Sequence, residues 1–181
     1  MSKRLFIGLE LPLSSRETLT ALDPKIKGLR WLPVGQLHLT MSFLGPVEQE
    51  AMQRLKANLE KVCVPPFFLP IHGVGSFGGD RPTVVWAGVG KGHPHLFALH
   101  KHIQDAVLRA GLEPDLKPFH PHITTGRAKN VSRAAILPFL RRYADTEFDM
   151  WKVTGFTLFS SVLSREGTTY NVEMRRVLSA G

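Results

Sequence analysis

Between Gln36 and Phe43 polar and apolar side chains alternate one for one: Gln36, His38, Thr40 and Ser42 against Leu37, Leu39, Met41 and Phe43. A period of two belongs to a β-strand, whose successive side chains point to opposite faces. A strand is therefore predicted over 36–44, ended by Gly45-Pro46, with Phe43 on the core side. Elsewhere the period is helical. Met52, Leu55, Leu59 and Val62 recur at spacings of three and four, predicting a helix over 47–62. Leu96, Leu99, Ile103, Val107 and Ala110 form the stripe of a second helix over 95–110, which Gly111 stops. Ser14 with Glu17 offers a capping box for a helix ending near Asp23-Pro24. Residues 132–143 read as a helix although Pro138 lies inside it. Further strands are expected at 5–9, 67–77, 83–89 and 119–125, with 78–82 a hairpin connection. Residues 148–163 and 168–178 are strand-rich, and a bulge or break is expected in the longer stretch.

The two halves of the chain repeat one order, helix, short strand, helix, hairpin. His38-Leu39-Thr40 and His122-Ile123-Thr124 occupy equivalent places in it, each on a strand just before a helix. In each, histidine and threonine share a face and the apolar residue between them points the other way. The apolar face can pack on helices; the polar face has no place in a core. If a pseudo-two-fold axis relates the halves, both polar faces line one groove, which then holds two imidazoles and two hydroxyls. A single His-x-Thr in a strand is commonplace. Two copies at matching places in a repeated order point to a shared site.

That set suits hydrolysis of a phosphodiester, which needs a base for the attacking water and an acid for the leaving oxygen. Histidine can serve as either near neutrality. Threonine hydroxyls can donate hydrogen bonds to non-bridging oxygens as charge builds there. Arg127, five residues after His122, is a candidate for a bidentate contact to the same phosphate. Ser42, Phe43 and His120 are further candidates, for a supporting hydrogen bond or a contact to a nucleotide base.

The 181 residues suit one domain or two small lobes. A net charge of +8 favours a polyanionic partner, with nucleic acid the obvious one. The basic residues are scattered, which suggests a small or terminal contact rather than a long stripe. One cysteine, Cys63, rules out an intrachain disulfide and fits a reducing compartment. Glu10 interrupts the apolar run that follows Lys3 and Arg4, so the N-terminus reads as a strand rather than a secretory leader, and a cytoplasmic location without membrane contact is expected. Gly73 to Gly78 fits a dinucleotide fingerprint in spelling, but it runs into Gly79-Asp80-Arg81-Pro82 and another strand instead of a helix. The glycine-rich run 88–92 lacks the length and the Ser or Thr of a phosphate-binding loop. His93, His95, His100 and His102 cluster without a chelating spacing, so no metal and no cofactor is expected.

The string from His38 to Gly45 and the string Phe119-His120-Pro121-His122-Ile123-Thr124 resemble the two signature motifs of the two-histidine (2H) phosphoesterases. The branch they most resemble is that of the RNA 2',3'-cyclic phosphodiesterases, also called 2'-5' RNA ligases. The resemblance extends over nearly the whole chain, including the opening run from Arg4 and the run ending at Leu163. It implies an α+β fold, a single bilobal domain over 1–181 with two antiparallel sheets related by a pseudo-two-fold axis, helices on the outer faces and a central cleft. It implies that His38 is the proton donor, that His122 is the proton acceptor, and that Thr40, Thr124 and Arg127 hold the phosphate. The implied activity opens a terminal RNA 2',3'-cyclic phosphate to a 2'-phosphomonoester without metal, with ATP-independent 2'-5' ligation as an additional activity, by a chain expected to act as a monomer. The substrates to be expected are RNA ends such as tRNA fragments, or nucleotides. A cyclic phosphodiesterase for a small nucleotide and an RNA-end-binding protein with little turnover are the alternatives.

Overall fold

The computed structural model describes every residue except Met1, Lys91, Gly92, Leu116, Arg165, Glu166 and Gly181. Its strands are β1 (Lys3–Glu10), β2 (Leu29–Trp31), β3 (His38–Val47), β4 (Phe67–His72), β5 (Val74–Phe77), β6 (Val84–Gly88), β7 (His122–Ala128), β8 (Glu147–Val153), β9 (Gly155–Ser164) and β10 (Gly167–Val177). Its helices are α1 (Leu13–Ala21), α2 (Gln49–Leu59), α3 (Pro94–Arg109) and α4 (Arg133–Arg142), with a 3-10 turn at Val34–Gln36.

The fold is α+β with two antiparallel sheets of unequal size. Eight strands form the larger, in the order β10-β9-β1-β3-β7-β6-β5, with β2 also on β7; β4 and β8 form the smaller. The large sheet divides into two half-sheets, β10-β9-β1-β3 and β7-β6-β5 with β2. They meet through one paired position, Leu39 opposite Ile123. β2 takes the rest of that edge of β7, with Arg30 opposite Arg127. This narrow joint makes the molecule bilobal, and it puts the two halves' motifs side by side.

The helical stripes are buried as their spacing requires. Met52, Leu55 and Leu59 of α2 and Leu96, Leu99, Ile103 and Val107 of α3 join Leu39, Met41 and Ile123 in one core. Each such Leu or Ile contributes roughly 2 kcal/mol of transfer free energy. Ser132 caps α4, its side chain accepting from the Ala135 N–H, and Pro138 is accommodated within that helix.

Several boundaries differ from the sequence reading. The 67–77 strand is two. At Gly73 (φ +70°) the chain leaves β4, paired with β8, and enters β5, paired with β6. A Cβ there would sit 2.6 Å from the Ala144 carbonyl oxygen. β5 passes through its hairpin into β6, so no helix follows the Gly73–Gly78 string. The long strand-rich stretch breaks at Thr154 into β8 and β9. The Ser14–Glu17 capping box is not formed: Pro12 is the N-cap of α1 and Ser14 lies inside the helix. Gly45-Pro46 does not end β3, which continues to Val47 beside Lys3, with Gly45 at φ +67°. Helix α2 accordingly starts two residues later than predicted. The short strand β2 has no counterpart in the sequence reading. Of the 88–92 run, Lys91 and Gly92 lie outside the described residues.

Candidate active site

The joint between the half-sheets builds the site. With Leu39 paired to Ile123 in antiparallel sense, the same register places His38 across from Thr124 and Thr40 across from His122. Leu39 and Ile123 go down into the core; both histidines and both threonines stay half-buried on the other face. All four side chains line one cleft of about 320 Å³, together with Arg127, Arg4, Phe6, Phe43, Thr168 and Tyr170.

Each imidazole is held in the same way. The Nδ1 of His38 lies 2.8 Å from the Gln36 carbonyl oxygen, and the Nδ1 of His122 lies 2.7 Å from the His120 carbonyl oxygen. A carbonyl only accepts, so each Nδ1 carries the hydrogen. The neutral tautomer is thereby fixed, with the lone pair on Nε2. The rings are also packed. Phe6 lies 4.9 Å and Tyr170 5.2 Å from the His38 ring; Phe77 lies 4.9 Å and Trp86 6.3 Å from that of His122. Burial holds the His38 imidazole down at about 4, opposed by its bond to the Gln36 carbonyl and reinforced by Arg127 and His122. Burial also lowers the pKa of His122, opposed by its bond to the His120 carbonyl. Burial raises that of the Tyr170 phenol, which stays protonated near neutrality.

A strand of strict alternation would turn both Phe43 and Arg127 away from the histidines, because each lies five residues on. Both half-sites solve this alike. In β3 the register against β1 jumps at Met41, between Ile7–Ser42 and Gly8–Thr40. In β7 the register against β6 jumps at Thr125, between Val85–Gly126 and Trp86–Thr124. Each bulge inserts one residue three positions after the histidine and inverts the alternation beyond it. From His38 to Phe43 and from His122 to Arg127 the burial sequence is the same: half-buried, buried, half-buried, buried, buried, exposed.

The bulges correct two sequence expectations. Phe43 is not in the core; it is 61% exposed and lines the cleft. Ser42 leaves the polar face, is only 3% exposed, and accepts a long hydrogen bond from Gln104 Nε2 at 3.4 Å. Arg127 does reach the cleft, by virtue of Thr125, whose hydroxyl is buried and donates to the Val85 carbonyl. The His120 ring is exposed, packs edge-on to Phe77 and lines the adjoining hollow. That hollow, about 350 Å³, continues the cleft past Thr40, Phe43 and His122 to Phe77, Lys117 and Phe119. His100 stacks on Phe119 at 3.9 Å rather than standing in solvent. Among the described residues no group of three or more His, Cys, Asp or Glu side chains is placed to hold a metal ion. No described helix is long and apolar enough to cross a membrane.

Sequence reasoning missed Arg4, Arg30, Phe6, Phe77 and Trp86. They lie on neighbouring strands, and only pairing brings them to the motifs.

The family model of the 2'-5' RNA ligase superfamily matches residues 12–163. The RNA 2',3'-cyclic phosphodiesterase of Aquifex aeolicus is 33% identical over 178 residues, covering 93% of this chain and 94% of the relative. The protein of the same name from Escherichia coli is 31% identical over 185 residues, covering 98% and 97%. Among solved structures, E. coli LigT in apo form aligns with a TM-score of 0.82 at 28% identity over 98% of both chains. LigT complexed with 3'-AMP gives the same TM-score. A family match over most of the length, centred on paired histidine motifs that share one cleft, places the chain: it belongs to the 2'-5' RNA ligase superfamily, whose members are two-histidine phosphoesterases.

Proposed function

We propose that this protein is an RNA 2',3'-cyclic phosphodiesterase that opens a terminal cyclic phosphate to a 2'-phosphomonoester. The observation that carries this reading is the pair of imidazoles, each fixed through Nδ1 so that Nε2 is the reactive atom, lining one cleft with Thr40, Thr124 and Arg127. Relatives about 30% identical over nearly their whole length bear that name.

In the proposed step His122 Nε2 takes a proton from water as its oxygen bonds to phosphorus. His38 Nε2 gives a proton to the 3' oxygen as the phosphorus–O3' bond breaks. Both imidazoles are neutral in the empty cleft near pH 7, since both pKa values are lowered. The anionic phosphate supplies the charge that lets His38 carry a proton. Thr40 and Thr124 donate to the non-bridging oxygens, and Arg127 offsets their growing charge. With a 5'-hydroxyl in place of water, the same two transfers join RNA ends in a 2'-5' linkage without ATP. Acid, base and countercharge all come from side chains, so no metal is required. Phe43, with Phe77 and Phe119 beyond it, offers stacking surface for a base. Ser42 supports α3 through Gln104, and His120 supports His122 through its carbonyl. We place the enzyme in the cytoplasm, as one bilobal domain acting as a monomer.

The test is an RNA oligomer ending in a 2',3'-cyclic phosphate, incubated in EDTA, with the product phosphate identified. A 2'-phosphate should form at full rate; loss of turnover on chelation overturns the metal-free mechanism. RNA-end binding without turnover would favour a binding protein, and turnover confined to mononucleotides a small-nucleotide phosphodiesterase.

A further inference from the structure

Arg30 sits directly opposite Arg127 in the β2–β7 ladder. Like charges in directly opposed positions destabilise a sheet. Among the described residues no carboxylate hydrogen-bonds or ion-pairs with either guanidinium, although both are exposed. Arg30 acts electrostatically on Tyr170, as Arg127 does, and Tyr170 lines the cleft. Arg4 lines the same cleft as Arg127 and projects from β1 on the same face as Phe6, two residues away, which packs on the His38 ring. Arg4 too has no ion-pair partner among the described residues. The cleft therefore changes character along its length. On the Tyr170 side it is lined by Arg4, Arg127, Ser161 and Thr168, with Arg30 beside Arg127 in the ladder; on the Phe119 side Phe43, Phe77 and Phe119 predominate and the charges of Lys117 and Asp115 offset each other.

Charge counting decides what this half is for. A cyclic phosphodiester carries one negative charge. Arg127 and one imidazolium already face it in the reaction proposed above. Arg30 and Arg4 remain, with no carboxylate partner among the described residues, and a ligand with one phosphate leaves them so. An RNA end carries a second anion next to the first: the phosphodiester joining the terminal nucleotide to its 5' neighbour.

We propose that Arg30, assisted by Arg4 of the same cleft wall as Tyr170, binds this upstream phosphodiester and so makes the enzyme selective for RNA ends over cyclic mononucleotides. The proposal rests on the phosphodiesterase reading of the same site. A guanidinium suits it, since its fork matches two phosphate oxygens at once.

The experiment compares three substrates on the wild-type enzyme: a mononucleotide 2',3'-cyclic phosphate with a free 5'-hydroxyl, the corresponding dinucleotide, and the dinucleotide with its internal phosphodiester replaced by an uncharged methylphosphonate. The dinucleotide should have a kcat/KM about 10- to 100-fold above the mononucleotide, the value of a charge-assisted hydrogen bond. The methylphosphonate should fall back to the mononucleotide level. In R30Q the ratio of dinucleotide to mononucleotide kcat/KM should collapse towards one, and in R30K it should lie between. Equal rates on the dinucleotide and its methylphosphonate overturn the proposal, as does an R30Q ratio equal to that of wild type. Equal losses on both substrates in R30Q would put Arg30 on the reacting phosphate and likewise overturn it. Failure of the wild-type enzyme on every cyclic phosphate would instead overturn the phosphodiesterase reading itself.

Discussion

The half-site around His38 and the half-site around His122 share a backbone and differ in what surrounds it. In both, Nδ1 donates to the carbonyl two residues back, and a bulge three residues on turns the fifth residue into the cleft. On the His38 side that residue is Phe43; on the His122 side it is Arg127. Phe6 and Tyr170 pack against the His38 ring, whose pKa is held at about 4. His122 stands beside the exposed His120 at the mouth of the adjoining hollow. A near-symmetric frame is thus filled asymmetrically, which is what the proposed mechanism needs if one motif used twice is to serve in two roles. A proton donor and a proton acceptor must differ in environment, and a nucleotide needs an apolar surface for its base as well as a cation for its phosphate.

The largest test asks whether both halves are needed. His38→Ala and His122→Ala should each reduce kcat by about 10²–10⁴-fold while RNA-end binding, measured by fluorescence anisotropy, largely survives. A variant retaining wild-type kcat would remove its half from the chemistry. Exchanging the fifth residues comes next. Arg127→Gln should lower kcat by about 10²–10³-fold, as for loss of a donor to a charged transition state. Phe43→Ala should act mainly on KM, by about 10-fold, as for a lost stacking surface. Equal effects on kcat would mean that the two positions do the same work.

Stability against pH measures the asymmetry without substrate. The unfolded chain protonates His38 at its ordinary value of 6.5 and the folded chain only at about 4. This contribution to stability is complete above 6.5 and falls away as the pH drops towards 4, by roughly 3 kcal/mol in all. Denaturant titrations of wild type and His38→Gln across that window should show the loss in the former and a smaller one in the latter. In steady-state assays, both lowered pKa values place the optimum of kcat/KM on the acid side of 6.5. The kcat optimum should lie higher, because bound phosphate raises the proton affinity of the histidines. The smallest effect concerns the opposed arginines. Arg30→Gln should stabilise the fold by roughly 0.2–1 kcal/mol at low salt, with the gain shrinking as salt is added.

The residues by themselves determined the motifs, the helix stripes and the pairing of each histidine with a threonine. These are local facts, set by periods of two and 3.6 that any stretch of chain must obey. The repeat of His-x-Thr in both halves also carried the idea of a shared groove. What only the tertiary structure decided lies wherever one strand meets another. The jumps at Met41 and Thr125 exist only as mismatches between paired strands, and no alternation rule within β3 or β7 announces them. They took Phe43 out of the core, buried Ser42 and delivered Arg127 to the cleft. The break at Gly73 likewise follows from which sheet each segment joins. Arg30 and Arg4 gained meaning only when β2 settled against β7 and β1 against β3, because charge opposition and a common cleft are properties of neighbours in space.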